Sequence, residues 1–357
     1  MAAVLCLLPV LVSYVRALTG QSDSSIAVRT IEWLRDNGAR GLVDDVENFY
    51  YSLSAPSKGG PPLKALPRQS GAAAAIPIRI PRIHRYRPAK VTPVIHPALP
   101  GEGVWHPTLA DGGSRPPVLI TSFRPEPDYP QVVAGVAWID HTRTNVMLYP
   151  GISEPAVTMP SRGPEKVPTT MRSRLVATFN SAFKLSDSGG GFAYDGHTYA
   201  PMRPNTATIL RYRNGRVDVI SWHGGSEVGT NVLYARQNLP LIVNGGRPNP
   251  NLSDGPQWGA TLGNAIMVWR SAVGVDRRGN LIYAAANDQT VGSLASIMTR
   301  AGAVRAMELD INTYWPSFIT YRYPGAGDPA NLLAGMDRPS TRYLTPDDRD
   351  FFAVYIR

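Results

Sequence analysis

Residues 270–315, RSAVGVDRRGNLIYAAANDQTVGSLASIMTRAGAVRAMELDINTYW, carry the densest run of structural signals in the chain. Ser271–Asp276 and Leu281–Ala286 are short apolar runs on either side of Arg277-Arg278-Gly279-Asn280, a turn signal, and together they predict a β-hairpin. Ser293–Arg300 places Leu294, Ile297 and Met298 on one helical face, and Gly302 follows as a C′ stop. Val304–Leu309 predicts a short buried strand. It delivers Glu308, Asp310 and Asn312, alternate residues that share one face while the strand stays extended. Oxygen-bearing groups at the end of an apolar strand cost free energy to bury, which marks this strand end as the place to look for chemistry.

Working outward, Asp195-Gly196 and Asn214-Gly215 each sit between short alternating runs and predict tight hairpins. Further short strands are expected at Pro117–Phe123, Val132–Ile139, Asn145–Leu148, Leu175–Phe179, Gly191–Tyr194, Thr198–Pro201, Ala207–Tyr212, Val217–Trp222 and Leu241–Val243. Strands and helices do not alternate regularly, so the reading is α+β, with a mixed, largely antiparallel sheet and a few packed helices. This domain is expected over residues 101–357.

Residues 1–20 read as a membrane anchor or a signal-like segment. Met1–Val15 is apolar and uncharged, but short for a span, which needs about 17–25 residues, and it lacks a basic leader. An anchor that begins upstream of Met1, a weak signal peptide and a buried core helix all fit that run. Residues 21–54 hold two amphipathic helical patterns, Ser24–Asn37 and Gly41–Leu53, expected to act as a helical spacer. Residues 55–100 contain ten prolines and read as an extended linker holding the domain away from the anchor, with Ile76–Ile80 as a further edge-strand candidate.

That linker also explains the charge. It carries eight basic residues and no acidic one, so removing it from the net charge of +9 leaves +1 for the rest. A basic, proline-rich strip suits anionic lipid or an anionic wall polymer, and no nucleic-acid module accompanies it. No nucleic-acid partner is therefore expected. The single cysteine, Cys6, excludes an intramolecular disulfide or a cysteine metal site.

The order of elements resembles the C-terminal half of the phosphodiester glycosidase family. Its R-T-A-I-G strand is matched by Arg270-Ser271-Ala272-Val273-Gly274 and its D-x-x-G hairpin by Asp276–Gly279. The helix end G-A corresponds to Ala301-Gly302-Ala303, and N-L-D-G-G-G-S begins as Glu308-Leu309-Asp310. Upstream, N-G-G-F-F is echoed by Asn180-Ser181-Ala182-Phe183, and the resemblance covers roughly residues 100–357. Two glycine-rich stretches differ: Ile311-Asn312-Thr313-Tyr314-Trp315 replaces G-G-G-S, and Ser181-Ala182 replaces a glycine pair. Glycines there would let backbone N–H groups approach a phosphate or sugar closely.

The resemblance implies a hydrolase of sugar–phosphodiester linkages, with Asp310 and Glu308 as the catalytic carboxylates. On an extended strand these stand about 6–7 Å apart, which leaves retaining and inverting chemistry both open. Glu308 equally suits an ion pair with Arg305. Arg270 suits bidentate phosphate binding or an ordinary salt bridge, and Asn180 a sugar hydroxyl or a turn cap. Asn244-Gly245-Gly246-Arg247 reads as a phosphate cradle or a tight turn that needs positive φ. His197 and His223 are candidate acids or sugar contacts, and Trp315, with Tyr314 and Trp258, a stacking platform or core. Oxygen ligands from Asp310, Glu308 and Asn312 suit Ca²⁺ or Mg²⁺, although without the spacing of a standard loop. The functional expectation is a membrane-anchored, outward-facing hydrolase acting on an envelope or secreted glycan. A non-catalytic carbohydrate- or wall-binding module on the same fold is the alternative, and a structural envelope protein the third.

Overall fold

The computed structural model describes residues 2–73, 87–110, 115–253, 258 and 267–357. The chain opens with helices α1 (Ala2–Thr19), α2 (Ile26–Leu34) and α3 (Arg40–Ser54). Strands follow as β1 (His106–Pro107), β2 (Val118–Phe123), β3 (Ala134–Ile139), β4 (Thr144–Tyr149) and β5 (Leu175–Asn180). After the short helix α4 (Leu185–Ser188) come β6 (Phe192–Tyr194), β7 (His197–Ala200), β8 (Ala207–Tyr212) and β9 (Val217–Ser221). Next are β10 (Val232–Asn238), β11 (Leu241–Asn244), β12 (Arg247–Pro248), β13 (Val268–Val275) and β14 (Leu281–Gln289). Helix α5 (Val291–Arg300) leads to β15 (Arg305–Ile311), β16 (Phe318–Tyr323), β17 (Gly327–Asn331) and β18 (Phe351–Ile356).

Among the described residues the strands form three sheets. The largest has the order β1-β2-β3-β14-β13-β15-β11-β12, and two five-stranded sheets run β7-β6-β10-β8-β9 and β17-β16-β5-β18-β4. Each pairing among them is antiparallel. The fold is thus α+β, as the sequence predicts.

The large sheet is buried on both faces, and its strand periodicity divides the core. Val273, Tyr283, Met307 and Leu309 face the two smaller sheets, where they meet Phe179, Phe318 and Phe352. Ala272, Ile282, Ala284 and Ala306 face α5, which lays Leu294, Ala295, Ile297 and Met298 on them. Each large apolar side chain buried this way contributes roughly 1.5–3 kcal/mol. Helix α5 starts at a capping box in which Thr290 and Ser293 satisfy each other's backbone N–H groups. It ends before Gly302, whose φ of 95° suits glycine.

Two expectations about the N-terminal third change. The helical patterns at 24–37 and 41–53 do form α2 and α3, with Ser25 capping α2. They do not act as a spacer, however, because they dock on the sheet domain: Tyr51 donates to Asn312 Oδ1, and Arg40 pairs with Asp187 at 2.8 Å. The described part of 55–100 likewise lies along the domain rather than reaching away from it. Ala73 N–H donates to Pro107 O, Val91 N–H to Gly103 O, and Arg322 to Ser70 O, while Ala73 and Val91 are buried. The segment's own carbonyls are used too: Trp105 Nε1 donates to Ala89 O, Arg124 to Pro97 O and Arg322 to Ser70 O. The edge strand expected at 76–80 lies outside the described residues. Among the described residues, no helix is long and apolar enough to cross a membrane.

Candidate active site

Strand β15 reaches the site as expected but does not stay regular. Its register against β13 shifts between Glu308 and Ile311, where Leu309 and Asp310 together stand opposite Ser271 in a β-bulge. Ser271 Oγ donates to Asp310 O at 2.7 Å, and Asp310 N–H donates to Ser181 O at 3.0 Å. The loop that follows β5 is thereby tied to the end of β15, and two sheets meet at Asp310.

The two acids of Glu308-Leu309-Asp310 fall into different surroundings. Glu308 is fully buried and takes Arg270 Nη1 at 2.7 Å, while Arg270 also donates to the carbonyls of Gln289 and Trp258. Burial pushes the Glu308 carboxyl up to about 7, against the pull of Arg270. Asp310 instead faces Arg349, whose Nη1 lies 3.6 Å from its Oδ2, and Oδ1 accepts from Ile311 N–H. Burial pushes Asp310 up to about 7 as well, with Arg349 and that N–H acting in the opposite sense.

Arg349 is the hub of the site. Its guanidinium stacks on Trp315 at 4.2 Å and approaches Glu32 of α2 at 3.9 Å. The backbone around it is fixed by a buried pair: Arg342 binds Asp347 at 2.6 Å and donates to Trp315 O, and Asp347 accepts Arg349 N–H. A Cβ on Gly151 would strike the Arg349 backbone, so a glycine is needed for the 151–154 turn to pack there. That turn delivers Glu154, whose Oε2 accepts Ala156 N–H and Leu185 N–H. Burial raises the Glu154 carboxyl, opposed by Arg349. Next to it, Lys184 stands immediately before α4 and pairs with Glu32 and Asp36.

These groups surround a cavity of about 570 Å³, lined by Glu154, Lys184, Trp315 and Arg349 from the domain and by Glu32 and Trp33 from α2. That size suits a small ligand. The N-terminal segment forms its roof and is fastened at several points. Ser22 and Ser24 donate to Asp348, Asp23 pairs with Arg338, and Ser25 N–H donates to Tyr314 OH.

The sequence-derived candidates are distributed unevenly around this centre. Trp315 lines the cavity, and Asp310 lies directly behind Arg349. Asn180 sits beneath Asp310 with its amide saturated: it donates to Ser271 Oγ and Ser181 O, and accepts from Tyr283 OH and Ser317 N–H. Such an amide positions the strand end and has no capacity left for a sugar hydroxyl. Asn312, at φ 78°, accepts from Tyr51 and from Thr313 N–H. Arg270 is engaged with Glu308, on the side of the sheet that carries Trp258.

Asn244, Gly245, Gly246 and Arg247 form an exposed tight hairpin, with φ of 60° and 75° at the glycines. Asn244 pairs with Arg305, at the opposite end of β15 from Asp310 and about 16 Å away along an extended strand. The cradle is therefore a turn remote from the cavity. His197 is exposed at the start of edge strand β7, His223 is exposed after β9, and neither lines the cavity. Among the described residues no three His, Cys, Asp or Glu converge as a metal-binding group, and the cation already beside Asp310 is Arg349.

Sequence reasoning missed Arg349, Lys184, Glu154 and Glu32. The one available signal was the cluster Asp347-Asp348-Arg349-Asp350 immediately before the apolar run Phe351–Ile356, a charged approach to a buried strand.

Comparison with known proteins follows the same lines. Residues 173–310, from the start of β5 to Asp310, match the phosphodiester glycosidase family. No curated protein matches the chain. Among solved structures, the catalytic domain of zebrafish N-acetylglucosamine-1-phosphodiester alpha-N-acetylglucosaminidase, auto-inhibited by its pro-peptide, is similar at 15% identity. The match covers 69% of this chain and 85% of that one, with a TM-score of 0.46. A hypothetical protein from Synechocystis is 12% identical over 70% of this chain and 65% of its own, with a TM-score of 0.40. A putative exported protein from Burkholderia pseudomallei is 12% identical over 63% and 74%, with a TM-score of 0.37. The region from β5 to the end of β15 is thus similar to the phosphodiester glycosidase family, a hydrolase kind.

Proposed function

We propose that this chain hydrolyses a sugar–phosphodiester linkage in an envelope or secreted glycan, with its domain outside the cytoplasm and its N-terminal segment at the membrane. The observation that carries the chemistry is the buried Asp310 carboxyl, raised to about 7 and held against Arg349 at the cavity wall. A carboxyl of that affinity exchanges protons efficiently near neutral pH. A phosphate monoester leaves without needing a proton, since its own second pKa is about 6. Asp310 therefore acts as the base: it takes a proton from water as the water oxygen bonds to the anomeric carbon, and the C–O bond electrons depart with the phosphate. Trp315 offers a face to the sugar, and Glu154 is a second carboxylate facing Arg349. The apolar N-terminal run and the basic 55–100 strip support the membrane assignment.

The test is turnover of a panel of sugar-1-phosphodiesters by the full chain and by Glu32→Gln, which loosens the roof, each with and without Asp310→Asn. Hydrolysis that requires Asp310 is expected. Glycan binding with no turnover by either protein across the panel would replace this reading with that of a binding module. Fractionation of cells that produce the full chain, with the domain digested by external protease, is the corresponding test of location.

A further inference from the structure

We propose that Lys184 and Arg349 form an anion subsite for the phosphate of the substrate, and that the Glu32 carboxylate of α2 occupies this subsite as a built-in competitor. The inference rests on the hydrolase reading and specifies where its phosphate sits.

Both cations belong to the domain, and both line the cavity. Among the described residues, the ion-pair partners of Lys184 are Glu32 and Asp36, both in the N-terminal segment. Arg349 is 8% exposed, and its Nη1 has no hydrogen-bond partner although it is buried. Its remaining domain contact with an acid is the 3.6 Å approach to Asp310, a carboxyl that burial holds partly neutral at pH 7. Without α2, therefore, the domain presents two nearly buried cations side by side, and the domain carboxyls nearest Arg349, Asp310 and Glu154, are both raised by burial. A domain does not bury such a pair for stability alone, because an unpaired buried charge costs several kcal/mol. The pair is complementary to a doubly ligating anion, and an arginine beside a lysine suits phosphate oxygens.

In this structure one Glu32 oxygen takes both cations, Lys184 in close contact and Arg349 at 3.9 Å, while the other oxygen is steered by Arg35 at 3.2 Å. Burial raises the affinity of Glu32 for a proton, but Arg349 and Lys184 outweigh it and hold the carboxyl below its ordinary value. The carboxylate therefore stays charged at neutral pH, as a phosphate surrogate must. Trp33, one residue on, closes the same cavity.

The experiment titrates inorganic phosphate into the full chain at pH 7, followed by line broadening in the phosphorus NMR spectrum. Turnover is measured on the same samples. A tethered competitor acts at an effective concentration in the millimolar range, so Glu32→Gln is expected to tighten phosphate binding by about tenfold or more. Adding Lys184→Met to Glu32→Gln should return binding to the wild-type level, with thermal unfolding confirming the fold. Arg40→Ala, which releases the roof from Asp187 without touching the subsite, should move phosphate affinity in the same direction by a smaller factor.

Phosphate affinity indifferent to Glu32→Gln overturns the proposal, as does a gain that survives Lys184→Met. Detachment of α2 in Glu32→Gln still exposes the subsite, so it leaves the expected gain in place. Phosphate behaviour as expected with no turnover removes the hydrolase reading and leaves the subsite. Asp310-dependent turnover with phosphate indifferent to Glu32 and Lys184 removes the subsite alone.

Discussion

The Arg349 guanidinium stands 3.6 Å from the Asp310 carboxylate, at the wall of the cavity roofed by α2. This approach is longer than a hydrogen bond and joins a residue at the end of β15 to one just before β18. It leaves the acid raised by burial and the cation with capacity to spare.

Asp310→Asn is expected to lower kcat by about 10²–10⁴-fold, the usual contribution of a positioned proton acceptor, while the far-ultraviolet circular dichroism stays unchanged. Glu308→Gln should behave differently. It removes the buried ion pair with Arg270, so the loss is read as a lower Tm rather than as a selective loss of kcat.

The pH dependence follows from the raised Asp310 pKa. A base is active once deprotonated, so kcat/KM should rise with pH and level off above about 7. Stability runs the other way. A folded pKa raised from 3.8 to about 7 contributes stability that is fully present below about pH 3.8 and lost as pH climbs through about 7. Asp310→Asn keeps a neutral side chain throughout, so its Tm relative to wild type should be higher at about pH 8 than at about pH 4. A flat difference would show that Asp310 titrates normally.

Asn180→Ala removes an amide that makes four hydrogen bonds beneath the site and leaves Tyr283 OH and Ser317 N–H buried. A loss of about 1–3 kcal/mol in denaturant unfolding is expected. A variant of unchanged stability with a raised KM would instead assign Asn180 to the substrate.

Asp350→Ala should be more severe, costing about 3–5 kcal/mol, because it strands a buried cation. Arg236 bonds Asp350 at 3.0 Å and also donates to the carbonyls of Gln237 and Phe183. It thereby sets the chain immediately before Lys184 and immediately after Arg349. Equilibrium unfolding in urea measures the cost.

The missed strands have different physical causes. Strand β10, VLYARQN, ends in Arg236, Gln237 and Asn238, which read as surface residues yet are fully buried. Their partners, Asp350, Thr208 and the Glu308 carbonyl, come from distant parts of the chain, and no local pattern announces them. Strand β18, by contrast, is an unbroken apolar run, FFAVYI, consistent with burial on both faces but without a hairpin signal to place it. The glycine pair at 245–246 misled in the opposite direction: a positive-φ turn and a phosphate cradle use the same residues, and only the register against Arg305 separates them.

What the sequence determined by itself is local. The hairpins, helix α5 with its glycine stop, and the strand that carries Glu308 and Asp310 follow from periodicity and turn chemistry between near neighbours. The tertiary structure decided which acid lies behind the cavity wall and which cation faces it. A bulge in β15 at Leu309-Asp310 separates the two acids, so that Asp310 meets Arg349 and Glu308 meets Arg270. Lys184, Arg349 and Glu32 come from distant parts of the chain, and their charges matter because packing removes the water between them.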